Sequence, residues 1–514
     1  MFDIKTPNIN YSKQDDFSKD VDKNDSFVLE EIVEYALNPQ SNALKVVEAL
    51  TITQNQKSIL MMLLENKRFD LVNKVLSLSQ ILFNDAKILF QKDENGKDLL
   101  GYFIELAPYE LLVNFLTLIK THCAEEDVKT MMNQKMNDGM THTMLMTHNH
   151  RFDEHEEIFK MLIDLIVSIC GLDRMYSEFS VTNLNGDNIL MLSIKNNNIK
   201  ITSKIIKLID TLIQDNQLKT QIIHKIVLQT NKQNQNLLIL LCESNYEDNS
   251  LLLKEVLNLI QICDDSWKCI VQQDLNNNNS LMLSILHQNK ILLTEIIEFM
   301  KSVQNKEIML TTLCEQLNNA NDNFLTLLFK YHYNDYYLII MSEIEQYVSI
   351  ENILKLFDNT LLHHSDFLHM ALAESNIAVI VSIMKHVQQI HTISNNEKHK
   401  IADLLVQKDS QNNILLLHIL NKCNTEIYDL IIKIACEFCD KITLKTILNS
   451  QDSYGLTPYM NAILNSNMKF AKYIENFAIT TGNSEYIKIQ SKKLDIIRKQ
   501  QQASIMALAI KVLH

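Results

Sequence analysis

The run Gln451-Asp452-Ser453-Tyr454-Gly455-Leu456-Thr457-Pro458-Tyr459-Met460-Asn461-Ala462 decides how the rest of the chain is read. Asp452 and Gly455 suit a tight turn, because an Asp carboxylate bonds its own nearby backbone and Gly takes positive φ without a Cβ clash. Thr457 stands where a helix needs a side-chain acceptor for its first free N–H groups. Pro458 follows at the helical position where a missing N–H is no loss. A polar break and a second apolar-periodic segment, from Asn467 to Ile474, complete one helix-turn-helix unit.

Aligned on Thr457, nine earlier positions fall into the same register: Ser58, Asp98, Thr141, Asn188, Asn236, Asn279, Asn323, Asp366 and Asn413. All are good helix N-caps. Two residues before the caps stand Gln56, Gly96, Gly139, Gly186, Asn234, Asn277, Asn321, His364, Gln411 and Gly455, and most of these are Gly or Asn, which tolerate left-handed φ. Two residues after the caps, Leu60, Leu100, Thr143, Leu190, Leu238, Leu281, Leu325, Leu368, Leu415 and Tyr459 mark an inward helix position. Successive caps are 40, 43, 47, 48, 43, 44, 43, 47 and 44 residues apart. Each interval leaves room for a third, short helix before the next turn. The expected spans are Asn216 to Leu228, Asp265 to Val271, Asn305 to Leu317, Asn396 to Val406 and Asp440 to Leu448.

The pattern D-x-x-G-x-T-P, an apolar residue, then x-x-A, at Asp452 to Ala462, resembles an ankyrin repeat, and Asp366-Phe367-Leu368-His369-Met370-Ala371 keeps the L-H-x-A core of that family. The match is clear over residues 452–478, and only that unit has Thr-Pro. The spacing exceeds the roughly 33 residues of an ordinary ankyrin repeat. The extra helix is therefore expected in place of the family's β-hairpin. The resemblance implies an all-α, ankyrin-like helical repeat solenoid of about ten units with a period of about 44 residues. Repeat length by itself equally suits an armadillo or HEAT-like α-solenoid, which is the alternative fold.

Composition agrees with helix. Seven Gly, four Pro and one Trp in 514 residues argue against a β-sandwich or a Gly-looped α/β enzyme, and 46% apolar residues suffice for a continuous core. No run approaches the roughly 18 to 20 apolar residues of a membrane helix. A formal charge of −14 opposes general binding to nucleic-acid phosphates. Nine cysteines without framework spacing, and no signal peptide, predict a reducing, cytoplasmic setting; a bacterial protein delivered into a host cytosol would read the same way.

The chain is divided into a flexible acidic tail (1–24), N-terminal capping helices (25–52), repeats (53–480) and a C-terminal capping helix (483–514). Lys488, Lys492, Lys493, Arg498 and Lys499 on the last segment read first as a solvated cap surface, and second as a contact for anionic lipid or an acidic partner.

Among residues that could carry chemistry, Cys436 and Cys439 have redox or zinc half-site spacing. Their setting among Ile431, Ile432 and Ile434 predicts core packing instead. His142, His148, His150 and His155 predict a solvated loop, with a metal or pH-sensitive contact as the second reading. His363 and His364 read as an ordinary turn. Met61, Met144, Met191, Met282 and Met460, each three residues after a cap, predict packing between neighbouring first helices, and secondarily an adaptable groove. The sequence contains no G-x-S-x-G, Walker A, H-E-x-x-H or G-x-G-x-x-G motif.

The expected function is a non-catalytic protein–protein interaction scaffold with no cofactor. The family resemblance implies contacts on the turn tips and the exposed edge of each first helix. Here these are Tyr454, His364, Asn277, Asn234 and the loop of His148, His150 and Arg151. Other readings are a structural subunit of a larger assembly, an effector of an intracellular bacterium and, last, an enzyme.

Overall fold

The structure, a computed structural model, describes residues 53–54, 56–78, 87–148, 156–244, 250–349 and 425–513, with isolated residues between, and only the backbone beyond residue 500. The expected tail, most of 25–52, the third helix at Asn396 to Val406 except its last two residues, and His150, Arg151, His155, His363, His364, Asp366 and Asn413 lie outside the described residues. The described chain is mostly helical, with one short antiparallel pair, Thr53–Gln54 with Lys57–Ser58. It divides into two compact bodies, Met1–Asp274 and Leu275–His514.

The residues around Asn188 show how local chemistry sets the elements. The Asn183 side-chain oxygen accepts from the N–H groups of Asn185 and Asp187 at 2.9 Å, while Asn183 N–H donates to the Asp187 carbonyl at 3.1 Å. Gly186, at φ +82°, lets the chain turn between them. Asn188 then caps the helix Ile189–Lys195 by accepting from Met191 N–H. At seven residues this helix is too short to be stable in isolation. Packing holds it, since every residue from Ile189 to Ile194 is buried.

Asn197, at φ +53°, ends that helix. Asn198 N–H reaches back to the Ser193 carbonyl at 2.9 Å, the hydrogen bond that satisfies a helix C-terminus when the chain reverses through a left-handed residue. The next helix, Ile199–Leu212, buries Ile201, Ile205 and Ile209, one stripe at four-residue spacing. Asp215 caps a third helix, Asn216–Val227, by accepting from Leu218 N–H at 2.8 Å.

This geometry recurs. All eight described caps, from Ser58 to Thr457, accept from the N–H three residues on, at 2.9–3.5 Å. All eight described residues two before a cap have φ between 57° and 82°. Left-handed residues also stand nine after a cap, at Lys67, Asn197, Gln288, His332 and Ser466. The asparagine caps do double work: Nδ2 of Asn188, Asn236 and Asn323 donates to the carbonyls of Ile226, Cys269 and Leu356 at 3.1, 2.9 and 3.2 Å. Such a cap needs a donor beside its acceptor, which the amide of Asn supplies and the carboxylate of Asp does not.

In the N-terminal body the first helices pack in sequence, Ile59–Glu65 on Leu99–Leu106, then His142–His148, Ile189–Lys195 and Leu237–Glu243. The second helices do the same: Phe69–Leu76, Tyr109–His122, Glu156–Cys170, Ile199–Leu212 and Ser250–Gln261. In the C-terminal body Ser280–Leu286 packs on Lys290–Ser302 and Phe324–Lys330. Pro458–Leu464, Met468–Thr480 and Ser484–Leu513 pack on one another. Third helices form at Asn216–Val227, Trp267–Val271, Lys306–Glu315 and Lys441–Asn449. They precede the turn and do not replace it. Hairpin-type bonds survive there, as in the Lys92–Asp98 bridge.

The five methionines three residues after a cap are all buried, so none lines an open groove. The expectation of core packing for Cys436 is corrected: it is exposed, because Ile431, Ile434 and Ala435 take the buried face of helix Thr425–Phe438. Cys439 follows that helix, half-buried.

Candidate interaction surface

The turn tips are joined across the sequence repeats. Asn137 N–H donates to the Asn95 carbonyl at 2.9 Å, Leu184 N–H to Asp138 at 2.7 Å, and Lys232 N–H to Asn185 at 2.8 Å. In the C-terminal body Asn319 N–H donates to the Asn276 carbonyl at 3.0 Å. Side chains reinforce the rungs: Asn137 Nδ2 donates to the Glu94 carbonyl at 2.8 Å, and Asn277 Nδ2 to Asn319 Oδ1 at 2.7 Å. Saturating the backbone this way leaves the side chains of each tip as the variable part. Large apolar side chains stand in water at three tips: Leu184 (59% exposed), Leu275 (61%) and Tyr454 (86%).

A second recurring device braces five of the described tips against the end of their first helices. Lys57 pairs with Glu65 and Lys97 with Glu105 at 2.6 Å, Lys195 with Asp187 at 2.8 Å, and Lys330 with Asp322. Gln235 donates to Glu243 at 2.6 Å in the same position. The cation is on the tip in the first two pairs and on the helix in the other two, so the signs reverse while complementarity holds. Asp187 also accepts from Nδ2 of Asn231, on the next tip, at 2.9 Å.

Of the residues expected at the contact surface, Asn234 is exposed at φ +57°, and its carbonyl accepts from Gln272 Nε2 at 3.3 Å. Asn277 is exposed but spends its amide on Asn319. Tyr454 projects freely, its N–H held by Asp452 Oδ1 at 2.9 Å. His148 is exposed at the end of helix His142–His148, seven residues after its cap, where other units place the residue that braces the tip. The structure thus joins Asn277 to the tip ladder and adds Leu184 and Leu275 to the exposed surface. Their only signal is an apolar residue directly after the Asx that opens the turn.

The histidine cluster is divided. His142, expected in a solvated loop, is instead buried, with 4% of its side chain exposed against 2% for Asp98. Nε2 lies 2.8 and 2.9 Å from the two carboxylate oxygens of Asp98, which already caps the preceding first helix. Burial opposes charge on this imidazole, but Asp98 beside it, aided by Glu178, raises its pKa; Lys92 works the other way. Next to it Thr143 donates to the buried carboxylate of Glu178, which is also ion-paired with Arg174, and Arg174 donates to the Met132 carbonyl at 2.7 Å. Such a sealed group offers a substrate no access; what it can do is lock neighbouring helices together. Among the described residues no group of three or more His, Cys, Asp and Glu side chains is placed to hold a metal ion, and no helix is long and apolar enough to cross a membrane.

No protein-family model matches the chain, and no curated protein matches it.

Proposed function

We propose that this chain is an ankyrin-like helical repeat solenoid acting as a non-catalytic scaffold, which binds a partner protein through its turn tips and the adjoining edges of the first helices. The observation that carries the reading is the tip ladder. Its backbone groups are bonded from one tip to the next, and it holds Leu184 and Leu275 out in water, as the turn closed by Asp452 holds Tyr454; each costs apolar hydration there that a partner would relieve. Affinity purification of the tagged chain from its own cells, with stoichiometry by light scattering, tests this reading. A stoichiometric protein partner retained by the wild type and lost from Leu184→Asp and Tyr454→Asp variants is the expected result. A partner held equally well by both variants would refute the use of the tips.

A further inference from the structure

Helix Ser484–Leu513 spans about 45 Å at 1.5 Å per residue. One face of its first half is used by the fold. Tyr486, Gln490 and Leu494, at four-residue spacing, are buried, and Tyr486 Oη donates to the Leu448 carbonyl at 2.6 Å. The exposed side next to that stripe carries Ile489 (49% exposed) and Ile496 (57%), seven residues apart and so within about 20° of one another around the axis. Lys492 and Lys493 lie between them, three or four residues from each, and are exposed, as are Lys488 and Lys499. Arg498 is exposed on the other side of the helix, four residues after the buried Leu494.

None of these five cations forms an ion pair among the described residues. Glu485 and Asp495 fall on the same side as the four lysines, so four cations less two acids leave this side at +2 in a chain of −14. Two isoleucines and a cluster of unpaired cations therefore share one ridge. In water the isoleucines gain nothing from their positions. Against a phospholipid surface both sets gain, as aliphatic side chains enter the headgroup and acyl boundary and lysine stems lie along it with their ammonium groups on phosphates. The ridge is one convex helix face, and a bilayer asks for no shape complementarity, whereas a specific protein partner is recognised through a well-packed pocket.

We propose that the ridge from Lys488 to Lys499 seats this protein peripherally on an anionic phospholipid surface. The test is co-sedimentation of the full chain with phosphatidylcholine vesicles, with and without phosphatidylserine, at two salt concentrations. Binding to the anionic vesicles is expected, weakened by salt and absent on neutral ones. Lys492→Ala with Lys493→Ala should weaken it about fivefold for each lysine, about 30-fold together. Ile489→Ser with Ile496→Ser should weaken it at least about tenfold, at about 25 cal/mol for each Å² of apolar area withdrawn from water. These side chains are exposed, so unchanged melting is expected of both variants and separates lost binding from lost folding. Equal binding to neutral vesicles, or undiminished binding by the lysine variant, overturns the proposal. So does a wild type that ignores vesicles and instead binds polyglutamate, which would assign the ridge to an acidic protein segment.

Discussion

His142 Nε2 donates to both carboxylate oxygens of Asp98, at 2.8 and 2.9 Å, and so fastens the first residue of one short helix to the cap of the helix packed before it. Asp98 simultaneously accepts from Gly101 N–H at 2.9 Å. Removing the imidazole strands a buried carboxylate, so His142→Ala should cost on the order of 3 kcal/mol. Asp98→Asn keeps an oxygen for both donors and should cost less, about 1 kcal/mol. Urea unfolding of the two variants checks the order.

The same pair makes stability depend on pH. Burial resists charging His142 but Asp98 outweighs it, so the pKa is higher in the folded chain than the roughly 6.5 of a free imidazole. The charged pair therefore contributes in full below about pH 6.5, and that contribution declines as pH rises through the folded value. Melting temperature should fall across this window more steeply for the wild type than for His142→Gln. Parallel profiles would count against a charged His142.

Gly186 and Gly455 share a left-handed backbone but differ in their surroundings. A Cβ at Gly186 would come 3.0 Å from Asn231 Cα and 3.2 Å from Lys232 N, both main-chain atoms of the next tip, whereas at Gly455 nothing lies within 4 Å. Left-handed strain alone is worth about 1 to 3 kcal/mol for a branched residue. Gly186→Val should lose that plus the cost of parting the ladder, and should melt lower than Gly455→Val. Equal losses would mean that tip stacking adds nothing.

Asp187 and Lys195 test the bracing of a tip. Single alanine variants at each, and the double variant, should give a coupling of about 1 kcal/mol, above the value for a fully exposed pair because Asp187 is buried. Additive losses would show that the pair is incidental.

Thiol labelling should separate the cysteines. Cys436 is exposed and should react first with a water-soluble disulfide reagent. Cys439 follows more slowly, its thiol pushed up to about 12 by burial and by Asp440 and Cys436. Cys242 and Cys269 are buried and should react only as the chain opens. Rapid modification of Cys242 in the folded protein would contradict its place in the core.

Leu184 and Tyr454 should prove dispensable for folding. Alanine at either position should change stability by less than about 0.5 kcal/mol, as expected of exposed residues that brace nothing. A larger loss by chemical unfolding would make the tip side chains structural.

Much of the local architecture was legible because it depends on chemistry acting within a few residues. An Asn or Thr cap reaches an N–H three residues away, and a Gly or Asn tolerates a left-handed turn wherever it stands. The second set of left-handed positions was not legible, since Lys67, Gln288 and Ser466 carry no such preference and are driven there by the chain reversal between packed helices. At the candidate surface Tyr454 could be named from its turn, while Leu184 and Leu275 looked like ordinary apolar residues until the tips were seen in water.

The sequence by itself determined the order of turn, cap and short helix and the spacing at which they return. Only the tertiary structure decided that His142 leaves the solvated loop for Asp98, that Asn277 is taken by Asn319, and that Cys436 faces outward. His142 and Asp98 are 44 residues apart and Asn277 and Asn319 are 42 apart, so no local preference links them. Their pairing follows from the register in which one helix layer settles on the next, and that register is set by the fit of the whole buried surface.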